Sequence, residues 1–137
     1  MARLRAFSWG LEAFWAPRVL AYLEGRSHPR DSLAPRIAFV AVHDGAIVGL
    51  VAGHRTRRHG CDGELQWIDV EPARRGTGTA AALVRELAGW FRTQGAARVC
   101  IDVDPANERA RRFYARMGAR PLDEHWWVWD DLPSTVR

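Results

Sequence analysis

The chain has 137 residues, 47% of them hydrophobic and 26% charged, with a formal net charge of +4. That length supports one core without disulfides or metal and leaves no room for two, so a single domain over residues 1–137 is expected. No apolar run reaches the roughly 18–20 residues that span a bilayer, and the first ten residues are too interrupted for a signal peptide, so a cytoplasmic protein without a membrane partner is expected.

All 20 basic residues are Arg. The absence of Lys excludes a P-loop Lys, a Schiff-base Lys and a lysine amine on the protein that could be acylated. It also reads as compositional bias more than as a nucleic-acid surface, and no nucleic-acid partner is expected. Cys61 and Cys100 are too few and too isolated for a disulfide framework or a Cys-rich zinc site. They read as one loop thiol and one buried strand thiol, with no metal.

In chain order, Arg3–Phe7 is at best a stub of a strand. Ser8–Trp15 and Arg18–Glu24 carry apolar residues at helical spacing, with Pro17 suited to a first turn and Gly25 to a stop. His28–Asp31 and Ala34-Pro35 read as loop. Ile37–Val42, Asp44-Gly45 and Ile47–Val51 spell two strands around a tight turn. A polar tip over Arg55–Gly63 leads to a third strand, Glu64–Val70. Thr79–Arg92 then places Ala80, Leu83, Val84, Leu87 and Phe91 on one helix face, ending near Gly95. Val99–Val103 is expected as a strand, Asn107–Met117 as a helix stopped by Gly118, and His125–Asp130 as a last aromatic strand. Antiparallel hairpins followed by strand-helix-strand-helix-strand imply an α/β (α+β) mixed sheet covered by helices.

Chemistry concentrates in two segments. In Val70-Glu71-Pro72-Ala73-Arg74-Arg75-Gly76-Thr77-Gly78-Thr79-Ala80 a strand end, a Gly-rich turn and a helix start follow directly. Such a turn exposes successive backbone N–H groups, and the helix entrance adds about half a positive charge, which suits a pyrophosphate. The run is neither a Walker A motif nor a dinucleotide-binding fingerprint. The second segment is Asn107-Glu108-Arg109-Ala110-Arg111-Arg112-Phe113-Tyr114-Ala115-Arg116-Met117-Gly118, in which Ala110, Phe113, Tyr114 and Met117 share a face. By itself that face makes Tyr114 a core aromatic with a polar tip.

With both segments in view the sequence resembles the GNAT superfamily of acyl-CoA-dependent N-acyltransferases. Arg75-Gly76-Thr77-Gly78-Thr79-Ala80 fits that family's Gln/Arg-x-x-Gly-x-Gly/Ala loop, and Asn107-x-x-Ala-x-x-Phe-Tyr-x-x-x-Gly its second motif, with the likeness running from about Ile37 to Asp130. The resemblance implies a mostly antiparallel sheet splayed between two parallel strands, here with a shortened N-terminal strand, and acetyl-CoA as acyl donor. It implies that backbone amides of Gly76, Thr77, Gly78, Thr79 and Ala80 hold the pyrophosphate, with Arg75 opening the loop. Ile68, Asp69 and Val70 would pair with the pantetheine arm as if it were an added strand. Asn107, Ala110 and Phe113 would lie along that arm, Arg109 near the 3′-phosphate, and Tyr114 at the sulfur as proton donor.

An acceptor amine must lose a proton before it attacks. Glu64, where some family members carry a glutamate base, is the first candidate; strand alternation groups it with Gln66, Ile68 and Val70 and turns Asp69, the second candidate, to the other face. A water chain is the third route. Neither cysteine has a neighbour in sequence that would activate it, so direct attack in a ternary complex is favoured over an acyl-cysteine route. Trp9, Phe14, Trp15, Trp67, Trp126, Trp127 and Trp129 read mainly as packing. The sharper reading has one or two of them, with Glu12, Glu24, Asp69 or Asp102, lining a site for a small-molecule amine or a peptide amine. The Arg-rich tip and the Arg-rich second helix read as solvated faces. A non-catalytic acyl-CoA-binding regulatory or partner domain is the alternative function, and the chain is compatible with a monomer or a homodimer.

Overall fold

The computed structural model describes Tyr22 and residues 29–134. The expected strand stub and the two N-terminal helices lie outside these residues, except Tyr22, which is helical.

Among the described residues six strands form one sheet: β1 (Ser32–His43), β2 (Ala46–Thr56), β3 (Gly63–Val70), β4 (Val99–Asp102), β5 (Arg120–Pro121) and β6 (Trp126–Trp129), in the order β1-β2-β3-β4-β6-β5. All neighbours are antiparallel except β3 and β4. Two helices, α1 (Thr79–Thr93) and α2 (Glu108–Arg116), follow β3 and β4.

The β1–β2 hairpin forms as its sequence indicates. Asp44 and Gly45 both take positive φ, 51° and 75°, which matches the twist of two-residue hairpin turns. Both strands run longer than expected. Ala34-Pro35, read as loop, lies inside β1, because β1 is the sheet edge among the described residues and the register slips between Leu33 and Arg36. There the missing proline N–H interrupts no ladder. The tip between β2 and β3 accordingly shrinks to a 3-10 turn at Arg58–Gly60. The expected last strand is trimmed to Trp126–Trp129, and β5, two residues long, is too short to leave a periodic signal.

Helix α1 buries Leu83, Val84, Leu87, Ala88 and Phe91 against the sheet. This face meets Val51, Leu65, Val99, Ile101 and Trp129, with Tyr114 joining from α2. Each fully buried large apolar side chain contributes about 1.5–3 kcal/mol. Close approach requires glycine in the strands: a Cβ on Gly63 would stand 2.3 Å from the Phe91 ring, and one on Gly53 2.9 Å from the Glu64 carbonyl oxygen.

Candidate active site

The site is defined by how β3 and β4 part. They pair only at Gly63↔Val99 and Glu64↔Cys100. This end is tied by Asp62, whose Oδ2 accepts from the backbone N–H groups of Ala97 and Arg98 at 3.0 Å each, while its own N–H donates to the Arg98 carbonyl at 2.7 Å. Beyond it β3 stays with β2 as far as Val70, whereas β4 pairs with β6 along its whole length, from Val99↔Trp129 to Asp102↔Trp126. From Leu65 to Val70 the edge of β3 towards β4 therefore has no strand partner among the described residues, a backbone edge that an extended guest can pair with.

A β-bulge decides which side chains face this opening. Ala52 pairs with Trp67 and Gly53 with Leu65, so Gln66 is an extra residue in β3. The bulge reverses the alternation after Leu65. Leu65, Ile68 and Val70 pack against the helix-side core, while Asp69 lies opposite Leu50 and Trp67 opposite Ala52 on the other face. Glu64, opposite His54, is on that second face as well. The expected grouping of Glu64 with Gln66, Ile68 and Val70, with Asp69 apart, is thus wrong: Glu64, Trp67 and Asp69 share a face. Cys100 and Asp102 of β4 join it, opposite Val128 and Trp126.

On the helix side, Pro72–Arg74 forms a 3-10 turn, held to the sheet by the Glu71 N–H donating to the Val48 carbonyl at 2.8 Å. The chain then passes through Gly76 (φ 76°) and Gly78 (φ 84°) into α1, and a Cβ at either glycine would meet nothing within 4 Å. Backbone sign, and not crowding, calls for glycine here. Arg75, Gly76, Thr77 and Gly78 are exposed. The Thr77 hydroxyl donates to the Arg74 carbonyl and lies 2.8 Å from the Thr79 hydroxyl. Helix α1 has no side-chain cap and no acidic residue in its first turn, so the N–H groups of Thr79 and Ala80 are left for an external acceptor. The loop fits a pyrophosphate. Beside it Gly78, Ala81 and Arg85 form an open groove of about 570 Å³ with Arg116, Met117, Pro133 and Ser134. Arg85 was not singled out by the sequence, and Arg116 only as part of the basic face of the second helix, since the packing of the two helices is what brings them together; Arg109, exposed on α2, is not part of this lining.

Asn107 is the N-cap of α2, its Oδ1 accepting from the Ala110 N–H at 3.1 Å. The helix spans Glu108–Arg116, Met117 is its C-cap, and Gly118 turns the chain at φ 94°. Tyr114 is buried, edge-on to Phe113 and to Trp129 with ring centroids 5.2 and 5.7 Å away. Burial, and secondarily the carboxylate of Asp69, pushes its phenol well above the ordinary value. Tyr114 and Asp69, from different elements, are thereby within electrostatic reach of each other.

At the closed end Glu64 is buried, with Oε1 3.8 Å from His54 Nε2 and 3.8 Å from Arg58 Nε. The Arg58 guanidinium lies over the Trp126 ring at 4.8 Å, and the His59 ring is 4.6 Å from it. The Asp102 carboxyl, more than half exposed, is nudged up chiefly by its partial desolvation, with His125 opposing and Glu64 adding to the rise. Trp127 and Trp129 belong to the helix-side core and Trp126 to the second face, where Trp67 stacks on Tyr22 at 4.8 Å. Trp9, Glu12, Phe14, Trp15 and Glu24 lie outside the described residues. Cys61, in the loop before β3, and Cys100, in β4, are the loop thiol and the buried strand thiol that the sequence indicates, and both are buried and pack together. Among the described residues no His, Cys, Asp or Glu group is arranged to hold a metal, and no helix is long and apolar enough to cross a membrane.

A mixed sheet opened between its parallel strands, in front of a glycine-rich helix entrance, is the GNAT architecture. The chain belongs to the acetyltransferase (GNAT) family, whose model matches residues 4–119. It is 40% identical over 83 residues to an uncharacterized N-acetyltransferase of Mycobacterium tuberculosis, covering 61% of this chain and 52% of that protein. The chain thus spans about half the length of the curated relatives it matches. Its fold superposes on Ard1 from Thermoplasma volcanium with a TM-score of 0.69 at 19% identity, over 94% of this chain and 87% of that one. The PaiA N-acetyltransferase of Thermoplasma acidophilum, solved in complex with coenzyme A, gives 0.64 at 12% identity, over 85% and 69%.

Proposed function

We propose that the chain is an N-acetyltransferase that moves an acetyl group from acetyl-CoA to a primary amine, on a small molecule or a peptide, by direct attack in a ternary complex. The observation that carries this reading is the opening between β3 and β4, which has the exposed glycine-rich loop at one end, Tyr114 and Asp69 beside it, and Glu64 where the strands rejoin.

Backbone N–H groups from Gly76 to Ala80 hold the donor's pyrophosphate, with Arg75 at the loop entrance. The stretch of β3 at Ile68, Asp69 and Val70, beyond the residues that pair with β4, takes the extended pantetheine arm, flanked by Asn107, Arg109, Ala110 and Phe113. Acetyl-CoA is a substrate here and supplies an activated thioester. The second face, where the carboxylates of Glu64, Asp69 and Asp102 gather, receives the amine. An alkyl ammonium has a pKa near 10, so Glu64 first accepts a proton from it, and the neutral nitrogen then attacks the thioester carbonyl. A backbone N–H near Val70 donates to the carbonyl oxygen as charge develops there. Tyr114, held protonated by its burial, supplies a proton to the sulfur as the C–S bond breaks.

Calorimetry with acetyl-CoA, CoA and ATP, followed by thiol release over a panel of small amines and peptides, tests this. Micromolar binding of acetyl-CoA with amine-dependent thiol release is the expected result. Absence of binding overturns the loop assignment, and binding without release on any amine points to an acyl-CoA-binding regulatory domain.

A further inference from the structure

The reaction scheme leaves one buried titratable group unused. His54, on β2 opposite Glu64, is 0% exposed and touches two other titratable side chains. Its Nδ1 is 2.9 Å from the Tyr22 hydroxyl, and its Nε2 is 3.8 Å from Glu64 Oε1. Neither His54 Nε2 nor Glu64 Oε1 has a hydrogen-bond partner among the described residues. Leaving such a pair buried and unmade is costly, and a shift of under an ångström would join them.

The Tyr22 phenol sets the direction of the chain. Burial raises its pKa first of all, with Glu64 adding to the rise and Arg36, whose guanidinium lies 4.8 Å over the ring, opposing it. Tyr22 therefore keeps its proton and donates it to Nδ1. A neutral imidazole that accepts at Nδ1 carries its hydrogen on Nε2, the nitrogen facing Glu64. We propose that His54, fixed in this tautomer by Tyr22, is a positioning residue that aims the Glu64 carboxylate and keeps it ionised for proton transfer from the acceptor amine. The inference rests on Glu64 being the base.

The other groups around Glu64 make the effect separable. Arg58, 3.8 Å from the same oxygen, also favours the carboxylate. Asp102 repels it from β4, and Cys100, whose thiol is pushed up by its hydrogen bond to Cys61 and by burial, stays neutral. A hydrogen bond to the ionised form lowers a carboxyl pKa, so losing it raises that pKa, while Arg58 limits the rise.

The test is carbon NMR titration of the Glu64 carboxyl in protein labelled at glutamate, with the resonance identified by its absence in Glu64→Gln, together with nitrogen NMR of His54. In the unaltered protein His54 should be protonated at Nε2 and bare at Nδ1. In His54→Leu the Glu64 midpoint should rise by about one pH unit, a tenfold change in the proton equilibrium. His54→Gln, which keeps a donor, should restore most of it, and Tyr22→Phe should release the tautomer. A proton on Nδ1, or an unmoved Glu64 midpoint in folded His54→Leu, overturns the proposal; if His54→Leu does not fold, the tautomer in the unaltered protein and in Tyr22→Phe decides. Full amine-dependent turnover by Glu64→Gln would sink the assignment of the base while leaving the titration result standing.

Discussion

The two ends of β3 are built on opposite principles. At the Gly63 end the strand is crowded and tied: Phe91 occupies the space a side chain would need, Asp62 clamps the start of β4, and Glu64 is buried among His54 and Arg58. At the Val70 end β3 is no longer paired with β4, and the chain leaves through exposed glycines whose missing side chains would have met open space. A cleft of this kind needs both. Without the tied end the parallel strands would have no fixed separation, and without the bulge and the diverging β4 the free edge would be consumed by pairing.

The contrast predicts that substitutions at the open end change chemistry at little cost in stability, and that those at the tied end, Glu64 apart, do the reverse. The largest effect is expected from Tyr114→Phe, which keeps the aromatic packing and removes the proposed proton donor. Amine-dependent thiol release should fall about 100-fold with the melting temperature nearly unchanged, and full turnover at every pH would remove Tyr114 from the mechanism. Gly63→Ala at the tied end should destabilise by about 2–3 kcal/mol through overpacking against Phe91, read by urea unfolding. Asp62→Ala breaks two backbone hydrogen bonds to a carboxylate and should lose about 2 kcal/mol, together with hydrogen-exchange protection at the starts of β3 and β4. Gly78→Ala strains a left-handed position by about 1 kcal/mol, and its signature is weaker acetyl-CoA binding in calorimetry.

The smallest effect concerns alkaline pH. Tyr22 and Tyr114 both have phenols raised by burial above the ordinary 10.0. The unfolded chain loses these protons first, so their contribution to stability is complete below about pH 10 and is lost as pH rises beyond it. Thermal unfolding should show the melting temperature dropping above that pH, and dropping less in Tyr114→Phe.

Much of this was legible in the amino-acid order because it depends on local rules. The period of Leu83, Val84, Leu87 and Phe91, the Asp44-Gly45 turn and the glycine-rich turn before α1 each act within a few residues, and the two motifs at the start of α1 and along α2 carry the family resemblance. Other features were not legible, since they arise where distant segments meet. The bulge at Gln66 is a mismatch in length between β2 and β3, invisible in either strand alone, yet it turned Asp69 onto the face of Glu64. The pairing of Tyr22 with His54, the Asp62 clamp and the contact of Cys61 with Cys100 join residues 32, 35 and 39 positions apart. The sequence by itself determined most of the elements among the described residues and where a glycine-rich turn enters α1; only the tertiary structure decided which face each acidic group takes, because strand register and burial are properties of the assembled sheet.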